Sequence, residues 1–108
     1  MSEWRYFTSR EVREARAWAV RGGIAVHENI WRSRGRRTCH LLAQDEATLI
    51  AAATTVGCGE WWIQRTRTLH FDLVGGCLER ALARCRLPEL SLHSVRRQLA
   101  PGKTEPPI

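Results

Sequence analysis

The stretch "TCHLLAQDEATLIAAATTVGC", Thr38 to Cys58, holds a complete strand-to-helix transition. "TCHLLA" is short, apolar and bounded, as a buried strand is. Gln44 and Asp45 interrupt it. Asp45 is placed as an N-cap, where a carboxylate accepts from the free N–H groups of a first turn. Beyond it Leu49, Ile50, Ala52, Ala53 and Val56 fall on one helical face. Gly57 follows where a helix ends in a left-handed residue. A strand running straight into a capped helix is the unit of α/β layering.

Reading upstream, "FTSREV" carries Thr8 with Glu11 three residues later, a capping box. Phe7 and Val12 occupy the staple positions, and Val12, Ala15 and Ala19 recur at helical spacing. "RGG" at Arg21–Gly23 ends the pattern, so a helix is predicted over residues 9–21. "GIAVHENI" then reads as a strand over residues 24–30. The basic run "RSRGRR", Arg32–Arg37, reads as a loop between that strand and the next.

Reading downstream, Trp61–Gln64 is predicted extended, "RTRT" is a charged connection, and His70 and Phe71 are extended again. Val74, Cys77, Leu78, Ala81, Leu82 and Cys85 repeat at i, i+3, i+4, i+7, i+8 and i+11, the clearest amphipathic helix in the chain. Pro88 stops it, "ELS" suits a short strand, and Ser91 caps a last helix that ends at "PG". The predicted order is α, β, β, α, β, α, β, α. It implies one α/β domain with an at least partly parallel sheet. Residues 1–22 form an additional N-terminal helical extension, residues 24–99 the core and residues 101–108 a loose tail.

Composition bounds the function. The 108 residues suffice for one modest core, and 44% of them are apolar. No apolar run nears the roughly 20 residues a membrane span needs. "MSEWRYFTSREVREAR" lacks the apolar centre of a signal peptide, so a cytoplasmic setting with reduced thiols is expected. The net charge of +6 suits an anionic partner, nucleic acid or nucleotide. Lys103 is the only lysine, however, and a GC-rich genome alone enriches arginine. None of Cys39, Cys58, Cys77 and Cys85 forms a C-x-x-C pair, which excludes a zinc ribbon. Cys39 adjoins His40, but neighbouring strand residues face opposite ways, against a Cys–His nucleophile.

"CHLLAQDEATLIAAATTVGCGEWWIQ", then "HFDL", then "LERALARCRLPELSLHSVRRQL" resembles a family of small bacterial and phage proteins, domain-of-unknown-function family 4031. The matching positions are His40, Leu41, Ala43, Asp45, Leu49, Gly57, Trp62, Gln64, His70, Asp72, Arg80 and Ala81, across residues 24–99. Members open on an Asp-bearing strand where this chain has "IAVHEN", so the resemblance moves any acidic role there to Glu28, beside His27. The first 22 residues lie outside the family pattern. The resemblance implies the α/β fold and carries no established activity.

Ligands of open α/β sheets bind near the carboxyl ends of strands, where helices begin. Glu28, His40, Asp45, Gln64, His70 and Asp72 fall near such junctions. His40, His70 and Asp72 are the candidate catalytic residues, either as acid/base groups or as ligands of a divalent metal. Arg34, Arg36 and Arg37 are candidate phosphate contacts, and Glu28, Gln64 and Trp62 candidate pocket residues. Each has an ordinary reading as well. Asp45 and Asp72 read first as helix caps, His40 as a satisfied core-edge histidine, His27 and His93 as solvated, and the arginine loop as a solvated hairpin. Three functions follow. The protein binds or hydrolyses a phosphate-bearing ligand, it is a non-catalytic basic module for nucleic acid, or it is an adaptor that binds a protein partner through residues 9–21.

Overall fold

A computed structural model describes residues 2–85. Five strands form one mixed sheet in the order β1-β2-β3-β5-β4. These strands are β1 (Trp4–Phe7), β2 (Ile24–Glu28), β3 (Cys39–Leu42), β4 (Gln64–Arg65) and β5 (Leu69–Leu73). Helices α1 (Val12–Val20), α2 (Glu46–Thr55) and α3 (Gly75–Arg84) pack on the sheet. The single-domain α/β fold and partly parallel sheet expected from the sequence are present, but the parallel pair is β1 with β2, joined through α1. The other pairings among the described residues are antiparallel.

β1 falls where the sequence predicts only a helical extension. "WRYF" is four residues long and sits in a charged run, so its local signal is weak. Pairing with β2 supplies what the local signal lacks: Trp4 lies opposite Ile24 and Phe7 opposite His27. The N-terminal segment is therefore an integral edge of the sheet.

Caps decide the helix ends. The Asp45 carboxylate accepts from the Thr48 N–H at 2.8 Å, as expected of an N-cap. α2 ends at Gly57, with φ +94°. Its N–H donates to Thr54 O, and that of Cys58 to Ala53 O, the paired bonds of a Schellman motif. α1 ends the same way through Gly22 and Gly23, which donate to Ala19 O and Trp18 O. α1 starts later than residue 9, because only half of the capping box forms. Glu11 accepts from the Thr8 N–H at 2.8 Å, and Thr8–Glu11 makes a turn ahead of the helix.

Three further expectations change. β2 stops at Glu28, and a hairpin turns at Arg34 and Gly35, both with positive φ, between the paired Ser33 and Arg36. Two successive residues of positive φ match the right-handed twist of the flanking strands. Glu60–Trp62 forms a 3-10 turn, closed by Trp62 N–H to Gly59 O; the backbone is extended from Ile63, and β4 starts at Gln64. Asp72 is not a helix cap: β5 runs through Leu73, and Val74 takes the position before α3 with no side-chain cap. The ladder to β3 pairs His40 with Asp72 and Cys39 with Leu73, and holds the strand past the point where its polar signal suggests a stop. The "ELS" strand, the helix from Ser91, His93 and the tail lie outside the described residues.

Side-chain alternation splits the sheet into two unlike faces. Ile24, Val26, Cys39, Leu41, Phe71 and Leu73 point to one face and form the main core with Leu49, Ala53 and Val56 of α2 and Leu78 and Ala81 of α3. On the other face Ala25 and Leu42 meet Phe7 and the small residues Ala15 and Ala19 of α1. α1 contacts β1, β2 and β3. A helix is about 10 Å across and strands stand about 4.8 Å apart, so one helix covers two or three of the five strands. β5 and β4 are left outside its cover, and the side chains there are His70, Asp72 and Gln64. No helix among the described residues is long and apolar enough to cross a membrane.

Candidate functional site

Three strands set the site. His27 of β2 lies opposite His40 of β3, and His40 lies opposite Asp72 of β5, all on the face that carries α1. His70, two residues before Asp72, returns to the same face by the period of two. The result is a row of imidazoles beside one carboxylate. The His40 and His70 ring centroids are 4.4 Å apart, and those of His27 and His40 are 6.1 Å apart. Asp72 Oδ1 lies 3.3 Å from His40 Nε2 and 3.4 Å from His70 Nε2.

Hydrogen bonds orient both rings. His70 Nδ1 lies 2.8 Å from Thr68 O, and the carbonyl can only accept, so Nδ1 carries the proton. In the neutral ring Nε2 is then a lone pair, aimed at a carboxylate oxygen. Two electron-rich atoms facing each other at this distance call for a cation between them, either a proton or a metal ion. His40 Nε2 lies 3.3 Å from Asn29 Nδ2, which donates to its lone pair, so a metal ion at Nε2 would take the place of that bond. Burial holds the His40 imidazole below its ordinary value, His70 and His27 push it the same way, and Asp72 opposes them. A neutral His40 offers its own lone pair.

Two of the three separations suit a metal. One ligand atom from each of His40, His70 and Asp72 can be chosen so that all lie within 4.8 Å of one another. Atoms about 2.1 Å from a zinc ion stand about 3.4 Å apart at tetrahedral angles. The two imidazole–carboxylate distances meet that value, and the third separation, between the two imidazoles, is bounded at 4.8 Å, so a bound ion would draw the rings together. The Thr68 carbonyl behind His70 is the kind of partner that fixes the tautomer of a metal-binding histidine. Two histidines and one carboxylate leave a fourth position for water or substrate.

A hollow of about 290 Å³ opens beside the cluster. His27, His40 and His70 line it, with Val12 and Leu42 as its apolar wall. Thr66, Arg67 and Thr68, from the turn between β4 and β5, line it from one side and Arg16 of α1 from another. Arg16 Nη2 donates to Thr68 Oγ1 at 3.3 Å, tying helix to turn. Of these residues the sequence pointed only to His40 and His70 as site residues. Arg67, Thr66 and Thr68 sit inside "RTRT", whose nearness to His70 was the available signal. His27 is buried, not solvated, with Nε2 3.3 Å from Ser9 O.

Other expected residues lie elsewhere. Glu28 turns to the opposite face, where it accepts from Tyr6 Oη at 2.8 Å and from Arg37 through Nε and Nη2 at 2.6–2.9 Å. Burial would raise the Glu28 carboxyl, but Arg37 and Tyr6 together hold it below its usual range. Arg37 is thereby committed to Glu28. Arg34 and Arg36 stand exposed in the hairpin, and none of the three arginines lines the hollow. Gln64 lies opposite His70 across the β4–β5 ladder but is exposed, its amide 3.4 Å from Trp62 O. Trp62 packs edge-on against Trp61 in the 3-10 turn. Asp45 serves α2. Cys39 is buried on the face opposite His40, and burial pushes its thiol up to about 12, so the two form no nucleophilic pair. No family model matches the chain, and neither the curated proteins nor the solved structures offer a match.

Proposed function

We propose that the protein binds a divalent transition metal through His40 Nε2, His70 Nε2 and Asp72, and uses it to bind and hydrolyse a phosphate-bearing ligand, a nucleotide or nucleic acid. The convergence of these three atoms beside an open hollow carries the reading. Imidazole nitrogen favours zinc and its neighbours over magnesium, which prefers an all-oxygen shell. A zinc ion in such a site polarises a phosphoryl oxygen and lowers the pKa of bound water to about 7. The resemblance to domain-of-unknown-function family 4031 belongs to this proposal, since His40, His70 and Asp72 are three of its matching positions. A cytoplasmic setting belongs to it too, and the four free cysteines agree with it.

The full chain, stripped with a chelator and titrated with Zn(II), is expected to take up a single ion. His70→Ala is expected to lower that affinity at least tenfold without changing the far-UV circular dichroism. Zinc-dependent hydrolysis of bis-p-nitrophenyl phosphate or p-nitrophenyl phosphate separates an enzyme from a binding site. A wild-type chain that takes up no zinc or manganese sinks the proposal. The second reading, a non-catalytic basic module for nucleic acid, is favoured by the net charge of +6. It predicts binding that needs no metal and weakens steeply with salt. An adaptor role for residues 9–21 would have to use the outer side of α1, since Ala15 and Ala19 face the sheet.

A further inference from the structure

Of the 13 arginines among the described residues, only two form ion pairs and two others line the hollow. Arg37 and Arg65 are paired, with Glu28 and Glu46, and serve the scaffold. Arg16 and Arg67 have no carboxylate within salt-bridge distance among the described residues, and both line the hollow beside His40 and His70. They reach it from parts of the chain far apart in sequence, α1 and the β4–β5 turn. Arg16 is held there by its bond to Thr68 Oγ1, and the backbone carbonyl of the same Thr68 accepts from His70. One residue thus positions a guanidinium and a candidate metal ligand together.

We propose that Arg16 and Arg67 form an anion subsite next to the histidine cluster, and that its ligand is a phosphomonoester. This rests on the metal-centre reading above for the cluster, but the subsite stands on its own residues. Among the described residues no Asp or Glu lines the hollow, and Asp72 adjoins it as a partner of both histidines. Two guanidiniums and a divalent cation against one carboxylate leave a strongly positive site. A terminal phosphate, a dianion near neutral pH, answers that charge better than the single charge of an internal phosphodiester. Guanidinium is also the side chain that matches phosphate oxygens with paired N–H donors. Thr68 adds a hydroxyl at the same rim, while the Thr66 hydroxyl donates to Thr68 O at 3.0 Å and braces the turn. The volume of about 290 Å³ is at the small end of ligand sites, room for a phosphate with its attached sugar. The shared chemistry is a terminal phosphate, carried either by a free nucleotide or by the end of an oligonucleotide.

Calorimetric titration of the zinc-equilibrated full chain tests this. The probes are inorganic phosphate, a nucleoside 5′-monophosphate, and one oligonucleotide with and without a 5′-phosphate. Phosphate and at least one phosphomonoester are expected to bind, and the oligonucleotide to bind more weakly once its terminal phosphate is removed. The two phosphomonoesters identify the source by their relative affinities. Arg16→Ala/Arg67→Ala, which alters exposed side chains, is expected to weaken phosphate binding about tenfold or more while zinc affinity stays within twofold. Arg16→Lys/Arg67→Lys is expected to recover part of the loss. Unchanged phosphate affinity in the double alanine variant overturns the subsite, and so does wild-type protein that takes up no phosphate. Equal binding of the two oligonucleotides overturns the phosphomonoester assignment. If wild-type protein takes no zinc yet binds phosphate through Arg16 and Arg67, the metal reading fails and the subsite stands.

Discussion

Asp72 stands directly across the β3–β5 ladder from His40, with its Oδ1 3.3 Å from the imidazole Nε2. A residue that looks like a helix cap in the sequence is a cross-strand partner in the fold. Asp72→Ala is therefore expected to leave stability within about 0.5 kcal/mol of wild type, since the side chain is half exposed and caps nothing. Zinc affinity is expected to fall by about 10–100-fold or more. Urea unfolding with a zinc competition titration reads both. A stability loss of about 1 kcal/mol with unchanged zinc binding would return Asp72 to a capping role.

Asp45 provides the contrast. Its carboxylate accepts from Thr48 N–H at 2.8 Å at the start of α2. Asp45→Ala is expected to cost about 1 kcal/mol in urea unfolding. Asp45→Asn or Asp45→Ser is expected to restore most of it, and zinc binding is expected to be unaffected.

Phe71 is fully buried in the main core, between His70 and Asp72 in sequence but on the opposite face. Phe71→Ala is expected to destabilise by about 3–5 kcal/mol, the transfer and cavity cost of a lost aromatic. Phe71→Leu should cost much less. If zinc affinity falls in Phe71→Leu with the fold intact, packing beneath β5 sets the spacing of His70 and Asp72.

Tyr6 is the only tyrosine of the chain, so phenolate absorbance reports it alone. Burial and the adjacent Glu28 carboxylate push its hydroxyl up to about 12. A raised value means that the stabilisation is complete below the ordinary value of 10.0 and is lost as pH rises through about 12. Glu28 behaves oppositely. Its value is lowered from 4.5, so its contribution is present above that pH and fades as pH falls through the lower folded value. The spectroscopic titration of Tyr6 is expected to centre near 12 in wild type and to move down in Glu28→Gln. Glu28→Gln should also flatten the acid limb of the stability curve. A Tyr6 midpoint at the ordinary value would refute the Tyr6–Glu28 contact.

Much of the local structure was legible in the residues. Asp45 and Gly57 bracket α2, Gly22 and Gly23 end α1, and the apolar repeat from Val74 to Cys85 marks α3. The alternation His70, Phe71, Asp72, Leu73 already separates two polar from two apolar side chains. These signals are readable because caps, turns and amphipathic periods depend on neighbours within a few residues. They also placed His40, His70 and Asp72 near strand–helix junctions.

Tertiary structure alone decided which of these groups meet. The order β2-β3-β5 sets His40 beside both His27 and Asp72, and the β4–β5 turn brings Thr68 and Arg67 to the same rim. The same pairing turns Glu28 to the far face and binds Arg37 to it, which removes both from the expected site. β1 exists as a strand because β2 lies alongside to complete its hydrogen bonds. The physical reason is register. A shift of one residue in a strand pairing exchanges its two faces, and that register is chosen by packing against distant side chains, which no local pattern encodes.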